Sequence, residues 1–176
     1  KDLSIFRRGT TAFDGGGGVP NDPDAQAYID ALDSAGYTVS GAEETAINTF
    51  VVDLKADGIW AKSKAIYPFI GGTAATHKFN LKDPRDLDAA FRLTFFGGWT
   101  HSATGSLPNG TNGYADTLIK KNTMAGNSVA FGAYIRNNDT TIRAEMGVTD
   151  VGGWNTLVSG VIYSAINNSN PQLVGS

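Results

Sequence analysis

The spacing of apolar residues changes once along this chain, near the glycine pair Gly71-Gly72, and that change limits the folds available to it. Before the pair, apolar side chains recur every three or four positions, which is the period of an amphipathic α-helix. After it they alternate with polar residues, the period of a β-strand with one buried face. The pattern predicts an α+β chain, with the helical part first and an antiparallel β part after it.

Two helices joined by a short loop, an αα-hairpin, are predicted in the first part. Asp22-Pro23 suits the start of the first helix, since Asp caps free N–H groups and Pro fits the first helical position. Ser40 and Glu43 have the spacing of a capping box at the start of the second. The predicted helices span residues 22–36 and 41–58, and their expected buried stripes are Ala25, Tyr28, Ile29 and Leu32, and Ile47, Phe50, Val51 and Leu54.

Short alternating runs fill the rest of the chain. The predicted strands are 78–82, 91–96, 114–119, 129–136, 142–148 and 157–166. Many short strands separated by turns rich in Gly and Asn predict an antiparallel β-sandwich or jelly roll. The expected domain plan is a flexible arm over 1–20, a helical hairpin and connector over 21–72, and a β-sandwich region over 73–176.

Composition argues against several classes of partner. The net charge is −3 and the sequence pI is about 5.2, so no basic face is expected for nucleic acid. No apolar run approaches the ~20 residues that span a bilayer, so no membrane partner is expected. The chain has no cysteine, which excludes thiolate metal sites and disulfides.

The sequence offers no pattern typical of catalysis. A glycosidase needs two carboxylates on one face of the site, and the predicted strand 142–148 carries only Glu145. His77 and His101 lack a second ligand at metal-binding spacing, and Asp116 with nearby Asn residues is too few carboxylates for calcium. We therefore expect a non-enzymatic protein with no metal and no cofactor.

One loop region has the composition of a sugar-binding surface. Residues 97–114 place aromatic rings among Asn, Thr and Ser, which offer an apolar ring face and polar groups for hydroxyls. The predicted ligand-binding residues are Trp99, His101, Asn112 and Tyr114. The alternative is that Trp99 anchors a long loop to the core.

The segments Phe-Arg-Leu-Thr-Phe-Phe-Gly-Gly at 91–98, Asn-Gly-Thr-Asn-Gly-Tyr-Ala-Asp-Thr at 109–117 and Ser-Val-Ala-Phe-Gly-Ala-Tyr-Ile-Arg at 128–136 resemble the front half of a concanavalin-A/laminin-G-like jelly roll. Residues 46–72, followed directly by such a region, are similar to stretches of predicted virion proteins of tailed bacteriophages, of the fibre, tail or head-decoration type. The resemblance covers about residues 40–165. It is based on the general residue pattern of these segments and on the order of the predicted strands.

The resemblance implies a structural virion protein that acts through assembly and host-surface attachment. Its expected partners are other virion subunits and further copies of itself, and its expected location is the virion. The alternative is a carbohydrate-binding, lectin-like module of a bacterial or phage surface protein, which would be extracellular or on the cell surface and bind a glycan.

The number of predicted strands departs from the jelly roll. A full jelly roll of this type has roughly a dozen strands, and about six are predicted here. We expect a longer polypeptide or another subunit to complete the sheet, because open strand edges are avoided.

Overall fold

A computed structural model of the chain describes residues 21–120, 130, 132–134 and 136. The chain divides into two compact units, Lys1–Asp116 and Thr117–Ser176. All described helices and strands belong to the first unit. The predicted arm over 1–20 and the predicted strands 142–148 and 157–166 lie outside the described residues.

The predicted helical hairpin is confirmed. Helix α1 spans Pro23–Ser34 and helix α2 spans Gly41–Ala56. The Asp22 carboxylate accepts a hydrogen bond from the Asp24 amide at 3.0 Å, and Ser40 with Glu43 forms the predicted capping box at α2. Lys55 of α2 also binds the Asp22 carboxylate at 2.6 Å, so the start of α1 is tied to the end of α2.

The hairpin core differs from the predicted stripes at one large residue. Ala25, Tyr28 and Leu32 of α1 and Ile47 and Val51 of α2 are buried, whereas Phe50 is 45% exposed. The prediction that Phe50 is buried is therefore wrong. Phe50 lies at the margin of the stripe, on the side away from Val51, and lines a shallow apolar groove of about 280 Å³.

The predicted strand over 78–82 is wrong as well. Instead, helix α3 spans Ala74–His77, and a turn follows that contains a single bridge between Asn80 and Asp83. Phe79 and Leu81 are buried, as their alternation suggested, but they join the helical core. The reason is that the backbone here pairs with the connector, since the Leu81 amide donates to the Ile66 carbonyl at 2.8 Å.

The connector between α2 and α3 completes that core. Trp60 lies in a short 3₁₀ turn, Trp60–Lys62, and is buried with the hairpin residues. Ile66 and Ile70 pack against the same cluster. The apolar stretch of residues 66–70, directly before Gly71, therefore joins the helical hairpin to the segment that follows.

In the described part of the chain, four short strands form two antiparallel sheets. Strand β1, Thr94–Phe96, pairs with β4, Tyr114–Asp116, and strand β2, Trp99–Ser102, pairs with β3, Gly105–Pro108. The predicted strands 91–96 and 114–119 are thus present but shorter. The β2–β3 hairpin lies where a loop was predicted.

The α+β class is confirmed, whereas the described part of the chain shows no closed sandwich or jelly roll. Each described sheet has two strands. In the predicted strand 129–136, the described positions 130, 132–134 and 136 lie outside any strand. Tyr134, in the second unit, is 91% exposed.

Adjacent valines of α2 test which face of the hairpin is buried. Val51 is 0% exposed and Val52 is 44% exposed. Val51→Asp buries an unpaired carboxylate, so we expect it to lower the free energy of unfolding by several kcal/mol, on the order of 3–5. The matched control Val52→Asp changes it by about 0.5 kcal/mol or less. Urea unfolding measures both, and equal losses would contradict the assigned face.

Candidate functional site

The predicted binding residues lie where the two sheets meet. Gly97 and Gly98 link β1 to β2 and pack against the loop that leads into β4. Gly97 has φ +71°, and a Cβ at this position would lie 2.1 Å from the Asn112 carbonyl oxygen. A Cβ on Gly98 would lie 2.4 Å from Asn109 Nδ2. This close approach requires both residues to be glycine.

Two asparagines hold that loop in shape. The Asn109 side-chain oxygen accepts the N–H groups of Thr111, Asn112 and Gly113 at 3.0, 3.1 and 3.0 Å. Asn109 Nδ2 donates to Asn112 Oδ1 at 2.7 Å, and the Gly98 amide donates to the same oxygen at 3.2 Å. The side-chain oxygen of Asn112, a predicted ligand group, therefore supports the loop. Sequence reasoning missed the role of Asn109, although Asn before Gly-Thr-Asn-Gly is a typical turn signal.

The outer face of the β1–β4 sheet carries an exposed pair of aromatic rings. Phe96 and Tyr114 are opposite each other in the register, and their rings stack with centroids 4.9 Å apart and planes 14° apart. Their exposed fractions are 42% and 59%. Thr94 and Asp116 share this face, because alternate residues of a strand point the same way. Tyr114 was predicted as a binding residue, and Phe96 was missed.

Trp99 of β2 contacts the β1–β4 sheet on the inner side, which is the side opposite the exposed Phe96–Tyr114 pair. Its indole N–H lies 3.0 Å from the Phe96 carbonyl oxygen and 3.3 Å from the Tyr114 carbonyl oxygen. Its ring contacts Phe95 edge-on at 5.2 Å and stacks near His101 at 6.1 Å. These contacts join Trp99 to the backbone of β1 and β4.

The inner side is an aromatic cluster that contains both histidines of the chain. His101 of β2 packs edge-on against Phe95 at 4.7 Å, and His77 of α3 packs edge-on against Phe69 at 5.4 Å. Burial lowers the pKa of both imidazoles, and burial together with the neighbouring His101 brings that of His77 to about 4. Both rings are therefore neutral at pH 7. Sequence spacing could not reveal His77 as a partner of His101, because they are 24 residues apart.

The arrangement thus has two chemically different sides. The outer side offers a flat apolar surface beside a hydroxyl and a carboxylate, which suits stacking and hydrogen bonding. The inner side is a packed cluster of rings. Within the described ranges, no group of three or more His, Cys, Asp or Glu residues is placed to hold a metal ion.

No protein-family model matches this chain, and neither a curated protein nor a solved structure matches it significantly. Every helix in the described ranges is too short or too polar to cross a membrane.

The close packing at Gly97 can be separated from its backbone conformation. Gly97 and Gly36 both have positive φ, +71° and +87°, but a Cβ on Gly36 would meet nothing within 4 Å. Gly36→Ala should cost about 1 kcal/mol for the left-handed conformation alone. Gly97→Ala adds a clash with the Asn112 carbonyl, so we expect a loss at least about 1 kcal/mol larger. Thermal unfolding of the two variants measures the difference, and equal losses would show that the Gly97 contact is not tight.

Proposed function

We propose that this chain is a non-enzymatic structural subunit of a bacteriophage virion, of the fibre, tail or capsid-decoration type. It acts by assembling with other subunits and with copies of itself, and it contributes to host-surface attachment. In this proposal the two small sheets belong to a concanavalin-A-like sandwich that another part of the polypeptide or another subunit completes. Two kinds of support exist: the sequence resemblance described above and the surface of the β1–β4 sheet.

The observation that carries the proposal is the small size and open outer face of that sheet. It contains three residue pairs, and in the described part of the chain no third strand pairs with β1 or β4. An isolated two-stranded sheet is marginally stable in water, and a strand edge is a template for pairing with another chain. The exposed Phe96 and Tyr114 rings add apolar area that a partner would cover.

Self-association tests this role. We expect light scattering on the 176-residue chain to give a multiple of its 18.5 kDa mass. Tyr114→Lys places a charge on the outer face, so it should shift the mass toward the monomer, because an unpaired charge is costly in an interface.

Val52→Lys is the matched control, since Val52 is 44% exposed on α2, and it should leave the mass unchanged. A monomeric wild-type protein would contradict the assembly role. An oligomer insensitive to Tyr114→Lys would place its contact elsewhere.

A second candidate function is carbohydrate binding, and the stacked Phe96–Tyr114 pair favours it. Sugars present apolar C–H faces that pack on exposed rings, while their hydroxyls bind nearby polar groups. Thr94 and Asp116 lie on the same face as the rings. In this candidate the exposed pair forms the binding surface, and Trp99 and His101 support it from behind.

A glycan array followed by calorimetry tests the second candidate. We expect Tyr114→Ala to weaken binding about two- to tenfold, since one aromatic contact is worth about 0.5–1.5 kcal/mol. Leu107→Ala is the control, because Leu107 is 50% exposed on β3, in the other sheet, and it should bind like the wild type. An array without any bound saccharide would remove this candidate and leave the assembly role untouched.

A further inference from the structure

The two histidines join separate parts of the first unit. His77 Nδ1 lies 2.9 Å from His101 Nδ1, so the bond connects the end of α3 to the β2–β3 hairpin. His77 is 1% exposed. The same two parts touch again at Gly72, where a Cβ would lie 3.0 Å from the Ala103 amide nitrogen in the hairpin turn. The hairpin is therefore held against the α3 segment by a hydrogen bond and a close backbone contact.

The hydrogen-bond partners fix where the protons of this pair reside. The Gly72 amide lies 3.1 Å from His77 Nε2, and a backbone N–H can only donate. His77 Nε2 is therefore an acceptor without a proton, and the neutral ring carries its proton on Nδ1. That proton is donated to His101 Nδ1. The neutral His101 ring then carries its own proton on Nε2.

This proton arrangement disfavours a metal site at the pair. A histidine that binds a metal through one nitrogen donates the N–H of its other nitrogen to a neighbour. His77 Nε2 accepts a hydrogen bond instead, so Nδ1 must keep its proton and cannot serve as a ligand. The geometry suits a hydrogen bond from one neutral ring to the other.

We propose that His77 and His101 form an acid-sensitive contact, and that proton uptake by the pair releases the β2–β3 hairpin from the α3 segment. A proton added to His101 Nδ1 would face the N–H of His77 Nδ1 at the present 2.9 Å separation, which breaks the bond to the hairpin directly. A proton added to His77 Nε2 would leave that bond in place but would face the Gly72 N–H, beside the close backbone contact with Ala103. Each cation thus turns a hydrogen bond at this junction into a contact between two donors, which cannot persist.

Within the described ranges, the groups in contact with the histidine pair are aromatic rings and a backbone amide. The rings packed on the pair are Phe69 before α3, Phe95 of β1 and Trp99 of β2. Among the described residues, the hydrogen bonds and ring contacts of the pair include no carboxylate. Lys78, which follows His77, binds Asp86 at 2.5 Å. The other titratable group acting on His77 is therefore His101 itself.

The direction of the pH effect follows from the lowered pKa values. The folded pKa of His77, about 4, lies below its ordinary 6.5. The released state therefore takes up protons first as the pH falls, and the closed state loses stability from about pH 6.5 down to about pH 4. Above pH 6.5 both states are neutral at this ring and the contact is at full strength.

Hydrogen exchange of the full chain, measured by NMR at several pH values, tests this proposal. After correction for intrinsic exchange, the opening constant of the β2–β3 amides should rise up to about tenfold per pH unit between 6.5 and 4 as His77 takes up a proton, and the lowered pKa of His101 acts in the same direction. The amides of α2 serve as an internal reference. Their exchange by local opening of the helical hairpin leaves the histidine pair closed, so this protection should stay constant above pH 4.5, because hydrogen bonds from Tyr37 and Ser40 lower the pKa of the capping Glu43 below its ordinary 4.5.

His101→Asn is the matched variant, since its side-chain oxygen replaces Nδ1 as an acceptor and does not titrate. Its β2–β3 exchange should depend less steeply on pH over the same range, because His77 is then the titrating ring of the pair that remains. Flat exchange in the wild type, or the same pH dependence in His101→Asn, would overturn the proposal. Nitrogen-15 shifts at pH 7.5 give a separate check: a proton on His77 Nε2 or on His101 Nδ1 would overturn it even if the variant failed to fold.

Discussion

The buried side chain of Asn80 organises the part of the structure that connects the helices to the strands. It is 1% exposed, and its oxygen accepts the amides of Ile66 and Lys82 at 2.9 and 3.1 Å. Its Nδ2 donates to the Ala90 carbonyl at 3.0 Å. One amide thus satisfies backbone groups of three segments that have no regular partner strand. An unpaired buried backbone group costs about 1–3 kcal/mol, so these segments depend on that side chain.

The position of strand β1 depends on the segment that Asn80 holds in place. The Leu93 amide donates to the Lys78 carbonyl at 2.8 Å, close in sequence to Asn80, and β1 begins at the next residue. Tyr67 adds a second tie, since its hydroxyl donates to the Phe91 carbonyl at 2.5 Å. Burial and the Asp116 carboxylate raise the pKa of Tyr67, which keeps the hydroxyl protonated and able to donate. The aromatic cluster is therefore placed by polar contacts made outside it.

The helices could be predicted from the sequence because their signals are local. Asp22-Pro23 and Ser40 with Glu43 act within one turn of the chain, and the structure places both caps as expected. The segment 78–82 has an equally clear alternation, but its backbone partners include Ile66 and Leu93 rather than a neighbouring strand. Alternation reports which side chains are buried and does not identify the hydrogen-bond partner.

The candidate site was predictable only in part for the same reason. Composition identified Trp99 and Tyr114, because aromatic rings among amides stand out in any window of the sequence. Composition cannot assign them to opposite sides of a sheet, because it predicts a loop here and does not determine the strand register. The His77–His101 contact and the Phe96–Tyr114 stack arise only after the chain has folded back on itself.

The inner and outer sides of the β1–β4 sheet are connected through single residues. Phe95 and Phe96 are consecutive, so one ring contacts His101 while the next stacks on Tyr114 outside. The Trp99 indole, which contacts the inner rings, donates to the carbonyl groups of the two outer residues. A displacement of the β2–β3 hairpin must therefore disturb the backbone under the outer aromatic pair. If acid releases the hairpin, the surface proposed for assembly or sugar binding changes with it. The Trp99 indole N–H of the hairpin is bonded to the backbone of the two residues that form this surface.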